Sequence, residues 1–246
     1  MKSKKLLLTI IILFSAIIIG IIFVIPKRKD LSIKVGDSIA DIEIESTNGK
    51  HQKIKNCMPD KYVILYISSG CHPCMDELPS IQLLCETLND SECPLITIWR
   101  KSIPKNITDN ESYNFRLKNC ELASYTPCFY YIEKNQVVFE TQDLEKIIRK
   151  MISSTNSNDI QKSFIDYYVK KNNISKDNVY FEFLSDGDDE KFSNLPDDAE
   201  IISISNENII NTIYDPHYSI SYLFGITKYP SCVKCDTKTL EYEVLE

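Results

Sequence analysis

From Leu6 to Pro26 the sequence LLLTIIILFSAIIIGIIFVIP carries no charge, and about 20 apolar residues suffice to cross the hydrocarbon core of a bilayer. The run is longer than the apolar part of a cleavable leader, and Lys27, Arg28 and Lys29 follow it at once. It predicts an uncleaved membrane anchor, with a cleaved signal as the alternative. Val35 to Lys55 then alternates polar and apolar residues around Asn48-Gly49, the pattern of a hairpin. Tyr62 to Ile67 (YVILYI) is a continuous apolar run, as in a strand covered on both faces. Leu78, Ile81, Leu84, Cys85 and Leu88 recur at helical spacing, so Pro73 to Leu88 reads as an amphipathic helix, kinked at Pro79. Leu95 to Trp99 predicts a second buried strand and Tyr113 to Asn119 a short helix. Cys128 to Ile132 and Val137 to Glu140 read as strands joined by a turn at Lys134-Asn135, and Asp143 to Ser153 as a closing helix. The order suits an α/β fold, a central mixed sheet with helices on both faces.

Ser153 to Asp159 (SSTNSND) is polar and reads as a linker. After a helix over Ile160 to Lys171 the earlier pattern partly returns. VYFEFLSDGDDEKF resembles VILYISSGCHPCMDEL, IISIS stands for LITIW, and KYPSCVKCDTKTLEYEV stands for SYTPCFYYIEKNQVVFE, proline for proline. These likenesses divide the chain into an anchor over residues 1–30, a first unit over 31–153, and a second, diverged unit over 154–246 without a matching cysteine pair. Chance likeness of two β-rich segments is the competing explanation.

Charge narrows the partners. The formal net charge is −7 and the basic residues are scattered, so no basic surface for nucleic acid is expected. Lys2, Lys4 and Lys5 before the apolar run balance Lys27, Arg28 and Lys29 after it, and the positive-inside rule barely discriminates between orientations. A head of five residues before the span favours export of everything that follows. The expected location is the extracytoplasmic face of a membrane, an oxidising setting in which disulfides persist. Nine cysteines is an odd number, leaving at least one thiol free or paired between molecules.

The segment SSGCHPCMDELPS, Ser68 to Ser80, joins the first buried strand to its helix. A helix N-terminus presents unpaired N–H groups and about half a positive charge, which favour a thiolate over a thiol. Cys71 sits at that end, and thiolate is the attacking species in disulfide exchange. Cys74, three residues on, is placed to resolve a mixed disulfide formed on Cys71. His72, if protonated, would add to thiolate stabilisation. Glu77, one turn beyond Cys74, could shuttle its proton or simply complement the helix dipole.

With Glu77-Leu78-Pro79 after it and Thr126-Pro127 downstream, Cys71-His72-Pro73-Cys74 resembles the thioredoxin superfamily, specifically its membrane-tethered TlpA/ResA-type thiol-disulfide oxidoreductases. The opening VGDSIADIEI is also similar to that group. The resemblance covers roughly Ile33 to Ser153. It implies a thioredoxin-like fold, disulfide exchange with protein substrates, an upstream electron donor in the membrane, and no cofactor or metal. It also implies a cis bond at Thr126-Pro127, with Pro127 set against the dithiol, and a proton-transfer role for Glu77. Pro73 before the second cysteine goes with reductants, whereas His72 between the cysteines goes with oxidants or isomerases; reduction is the expected direction. Departures from the pattern are Gly70 where an aromatic residue commonly precedes the first cysteine, Leu65 where thioredoxin has a buried acid, and Cys128 directly after Pro127, a third thiol near the dithiol.

Other residues have blander readings. Cys232-Val-Lys-Cys235 has the spacing of half a zinc site, but on a strand the two side chains point to opposite faces. Cys85 and Cys120 read as core thiols, and Cys57 and Cys93 as loop thiols open to a structural pairing. Asn106, Asn110 and Asn173 fit the glycosylation pattern. Asp186 to Glu190 lacks the spacing of a calcium loop. Two alternatives to an enzyme remain: a non-catalytic adaptor in which the CHPC pair is a static disulfide, and a copper metallochaperone. The latter would need a distant histidine, and nothing in the sequence brings His217 near the motif.

Overall fold

The computed structural model describes residues 29–245, apart from 105–106, 108–112, 118–119, 157, 186–191 and 193–194. The expected anchor, the acidic stretch 186–190, and Asn106 and Asn110 lie outside the described residues. Among the described residues no helix is long and apolar enough to cross a membrane.

The chain forms β1 (Lys29–Asp30), β2 (Glu43–Ser46), β3 (His51–Lys53), β4 (Lys61–Ile67), α1 (His72–Asp76), α2 (Leu78–Thr87), β5 (Leu95–Trp99), β6 (Asn114–Leu117), β7 (Cys120–Glu121), β8 (Cys128–Glu133), β9 (Gln136–Thr141) and α3 (Leu144–Ser154). It continues with α4 (Asp159–Lys171), β10 (Asn178–Leu184), β11 (Glu200–Ser205), β12 (Ile213–Tyr214), α5 (Ser219–Phe224), β13 (Ser231–Asp236) and β14 (Tyr242–Leu245). The larger sheet has the order β3-β2-β6-β5-β4-β8-β9 and the smaller β12-β11-β10-β13-β14. β4 and β10 occupy matching places: each has a parallel neighbour on one side and an antiparallel hairpin on the other. The protein is therefore α/β with mixed sheets.

Local chemistry accounts for most elements. Gly49 takes a φ of +83° in the β2–β3 turn, a value glycine adopts without a Cβ clash. Lys134 and Asn135 both have positive φ in the two-residue β8–β9 turn, the backbone twist that suits a tight hairpin. The expected kink at Pro79 is a break into α1 and α2, because Pro79 has no N–H to donate to the Met75 carbonyl. Asp143 caps α3, its carboxylate accepting from the Lys146 N–H at 3.1 Å.

The short helix expected over Tyr113 to Asn119 is instead strand β6, parallel to β5. Tyr113, Phe115 and Leu117 carry the apolar side of the strand and are buried, Arg116 is exposed, and Asn114 on the Arg116 side is buried as well. The buried Asn114 side chain accepts from the Thr97 hydroxyl and from the Trp99 indole N–H, fixing the strand against its neighbour.

One connected apolar core takes in residues of both sheets. α2 packs on β5 and on α4 and α5, and α3 packs on α5 and β8, so helices lie between the sheets. Ile81, Leu84 and Cys85 of α2 are fully buried; burial of each aliphatic side chain contributes about 1.5–3 kcal/mol. That packing holds the start of α1 at the end of β4.

Candidate functional site

β4 is buried along its length and ends at Ile67, where the chain turns through Ser68–Gly70 into α1. Cys71 is the N-cap of α1, with extended backbone (φ −105°, ψ 113°), and its Sγ lies 3.4 Å from the Cys74 N–H nitrogen. Pro73 in the first turn needs no partner for an N–H and has the φ a helix requires. Cys71 and Cys74 are joined in a disulfide with Cα atoms 5.3 Å apart. Cys71 is half-buried and Cys74 wholly buried, so an incoming sulfur reaches Cys71 first. A Cβ on Gly70 would meet nothing within 4 Å, so the position that departs from the resembled pattern is open space beside Cys71.

The second wall is the turn before β8. The Thr126–Pro127 bond is cis, and the Thr126 carbonyl oxygen lies 3.2 Å from Cys71 Sγ. Arg100, just past β5, braces the segment leading to this turn. Its guanidinium donates to Glu121 at 2.7 and 3.0 Å and to the Ser124 carbonyl at 2.8 Å, and its own N–H donates to the Ile67 carbonyl at 2.8 Å. One residue thus ties the end of β4, through its backbone N–H, to the loop that faces it, through its guanidinium. No motif in the sequence marks Arg100 for this task.

Glu77 sits between α1 and α2, donating its N–H to the Pro73 carbonyl at 3.1 Å. Its Oε2 is buried with no hydrogen-bond partner among the described residues. Burial pushes the carboxyl above the usual glutamate value; His217 opposes this, and Asp143 and Asp76 add to it. His72 is exposed, and its Nδ1 lies 2.9 Å from Asp76 Oδ2, so the ring is engaged by a carboxylate on its own helix.

His217, which nothing in the sequence brings near the motif, lies in the segment before α5. Its Nε2 lies 2.9 Å from the Asp76 carbonyl oxygen, and its backbone N–H donates to Ser80 Oγ at 3.2 Å. The pair is 141 residues apart in sequence, a separation at which periodicity and spacing carry no signal.

Cys57, Cys85, Cys93, Cys128, Cys232 and Cys235 are free thiols. Cys128 turns toward Glu140 (3.5 Å) and the Tyr125 hydroxyl (3.9 Å), and burial pushes its thiol up to about 11. Burial likewise raises Cys93 and Cys232 to about 12, and raises Cys57, Cys85 and Cys235. A thiol held protonated is a poor nucleophile. Cys85 is core as expected, whereas Cys120 is only half-buried. Cys235 faces the apolar core with Val233 while Cys232 lies outside it, the opposite-face arrangement expected on a strand. His51 lies 3.9 Å from Glu45 on the hairpin edge. Among the described residues no group of three or more His, Cys, Asp or Glu side chains is arranged to hold a metal ion.

No protein-family model matches the sequence, and no curated protein matches it. Among solved structures, the chain is similar to a thiol:disulfide interchange protein from Bacteroides sp., with 14% identity, a TM-score of 0.42, and coverage of 52% of this chain and 93% of the other. It is similar to a thioredoxin-like protein from Bacteroides caccae at 12% identity and TM-score 0.40, covering 50% of each chain. It is also similar to the exposed lipoprotein thioredoxin of Streptococcus pneumoniae at 13% identity and TM-score 0.36, covering 47% of this chain and all (100%) of that one. These likenesses are weak, and the chemistry below rests on the side chains.

Proposed function

We infer that the chain is a thiol-disulfide oxidoreductase of protein substrates, working through Cys71 and Cys74 in the reducing direction. The observation that carries this reading is the asymmetry of the pair: Cys71 is reachable at a helix N-terminus beside the Thr126 carbonyl, whereas Cys74 is wholly buried. In the reduced protein the Cys71 thiolate attacks one sulfur of a substrate disulfide. A Cys71–substrate bond forms as the substrate S–S bond breaks, and the leaving thiolate takes a proton from solvent. Cys74 then gives its proton to the Glu77 carboxylate and attacks Cys71 Sγ. The second substrate thiolate leaves and is protonated, and the pair ends as the disulfide described above. The substrate has gained two electrons and two protons, and a dithiol donor on the membrane side must return them to Cys71 and Cys74.

The backbone around the reacting sulfur supports the same reading. The Thr126 carbonyl beside Cys71 lies next to a proline that offers no N–H, so an extended substrate segment could pair there. The apolar run from Leu6 to Pro26 supports tethering to a membrane with the rest of the chain extracytoplasmic. The matching strand order of the two sheets, and an X-Pro pair leading into both β8 and β13, support a second, diverged thioredoxin-like unit over residues 154–246. Without a dithiol, that unit serves substrate or partner contacts.

The test is to express the full chain with Cys74→Ala in membranes and look for proteins trapped on Cys71. Mixed disulfides that disappear on reduction and are missing from Cys71→Ala support exchange. No trapped species, together with an unchanged phenotype in Cys71→Ala, would leave a static adaptor.

A further inference from the structure

The C-terminal half reaches the helices that follow the dithiol through a buried polar contact. Asp215 is buried, and its carboxylate accepts from Ser80 Oγ at 2.7 Å, Ser219 Oγ at 2.8 Å and the Ile220 N–H at 2.7 Å. Ser80 is itself buried on α2 and also accepts from the His217 N–H. This knot fixes the backbone of 215–217, and the imidazole is laid on the Asp76 carbonyl, one residue from Glu77. A carbonyl oxygen only accepts, so Nε2 carries a proton. The neutral ring then has a bare Nδ1, and a second proton there makes an imidazolium.

Three groups act on the Glu77 carboxyl. Asp76 from α1 is engaged by His72, Asp143 ahead of α3 is engaged by Lys146, and His217 comes from the segment before α5. Of these three His217 alone is basic, and Glu77 Oε2 has no hydrogen bond among the described residues.

We propose that His217 is a positioning residue through which the C-terminal half sets the charge on Glu77, and so the ease with which Cys74 gives up its proton. With an imidazolium at 217 the carboxylate is favoured and accepts the Cys74 proton. With the charge gone the carboxyl holds its own proton to higher pH, and resolution of the mixed disulfide slows. This inference rests on the exchange reading above.

The experiment uses reduced full-length protein in detergent and 5,5′-dithiobis(2-nitrobenzoate), whose first thiolate is released by Cys71 and second by Cys74. Both phases are followed from pH 5 to 9. In His217→Gln, which keeps a donor for the Asp76 carbonyl, the rising limb of the second phase should move up by about half a pH unit, roughly threefold slower below its midpoint, with the first phase unchanged. Glu77→Gln should lack the limb, and adding His217→Gln to it should change nothing further. A second phase in His217→Gln that overlays the unsubstituted protein would overturn the inference while leaving exchange intact. So would both phases slowing at every pH without a shift, which is the mark of a purely structural contact. Absence of any second phase in the unsubstituted protein would remove the exchange reading and the inference with it.

Discussion

Five strands of the larger sheet, β6-β5-β4-β8-β9, follow the same order as the smaller sheet, and the two part company at the turn after the central strand. β4 runs out into Gly70 and the dithiol at the head of a helix, whereas β10 runs out into Ser185 and a carboxylate-rich stretch with no cysteine. The smaller sheet does carry two cysteines in C-x-x-C spacing, but Cys232 and Cys235 lie within β13, buried, free, and raised by burial. Spacing alone therefore does not make a redox pair. A helix start turns i and i+3 to one side and offers N–H groups to a thiolate, and a strand does neither.

The largest expected effect separates the two pairs. Cys71→Ser should reduce turnover of an insulin-reduction assay by several orders of magnitude, while Cys232→Ser with Cys235→Ser should leave it within about twofold. Loss of activity in the β13 variant at unchanged stability would break the distinction. Next, the shared core predicts that Phe164→Ala, in the helix that meets α2, destabilises the protein by about 3–5 kcal/mol. Chemical denaturation should show one transition for both sheets; two separated transitions would make them independent bodies.

A smaller loss is expected from Ser80→Ala, which leaves the buried Asp215 carboxylate without one of its three donors. A cost of about 1–3 kcal/mol follows from a charged acceptor stripped of a hydrogen bond. Denaturation midpoints for Ser80→Ala and for Ser80→Thr, which restores the hydroxyl, check it.

The smallest effect concerns pH. The Glu77 carboxyl has a higher pKa folded than unfolded because burial disfavours its charge, so the folded state holds the extra proton. Its contribution to stability is complete below the ordinary glutamate range and is lost as pH rises through the raised value. Glu77→Gln should flatten that part of the stability profile between acid and neutral pH. A profile unchanged by the substitution would show that the carboxyl is not held protonated by the fold.

How much of this was legible depends on how local the cause is. β4, α2, the β8–β9 hairpin and α3 follow from periodicity and turn residues within a dozen positions. The CHPC turn was legible because its chemistry needs only a strand end and a helix start. β6 was misread, since Tyr113, Phe115 and Leu117 alternate over too few residues to outweigh a helical reading; pairing with β5 decides the matter. Arg100 and His217 were not legible in role. Each acts on a partner brought near by the sheets, and His217 crosses from one half of the chain to the other.

The most direct test of the account is a redox titration of the full-length chain in glutathione or dithiothreitol buffers, with alkylation and mass analysis reporting Cys71 and Cys74. One reversible two-electron transition confined to that pair is expected, at a potential near thioredoxin's, about −270 mV. A pair that stays oxidised at every potential the folded protein survives would contradict it.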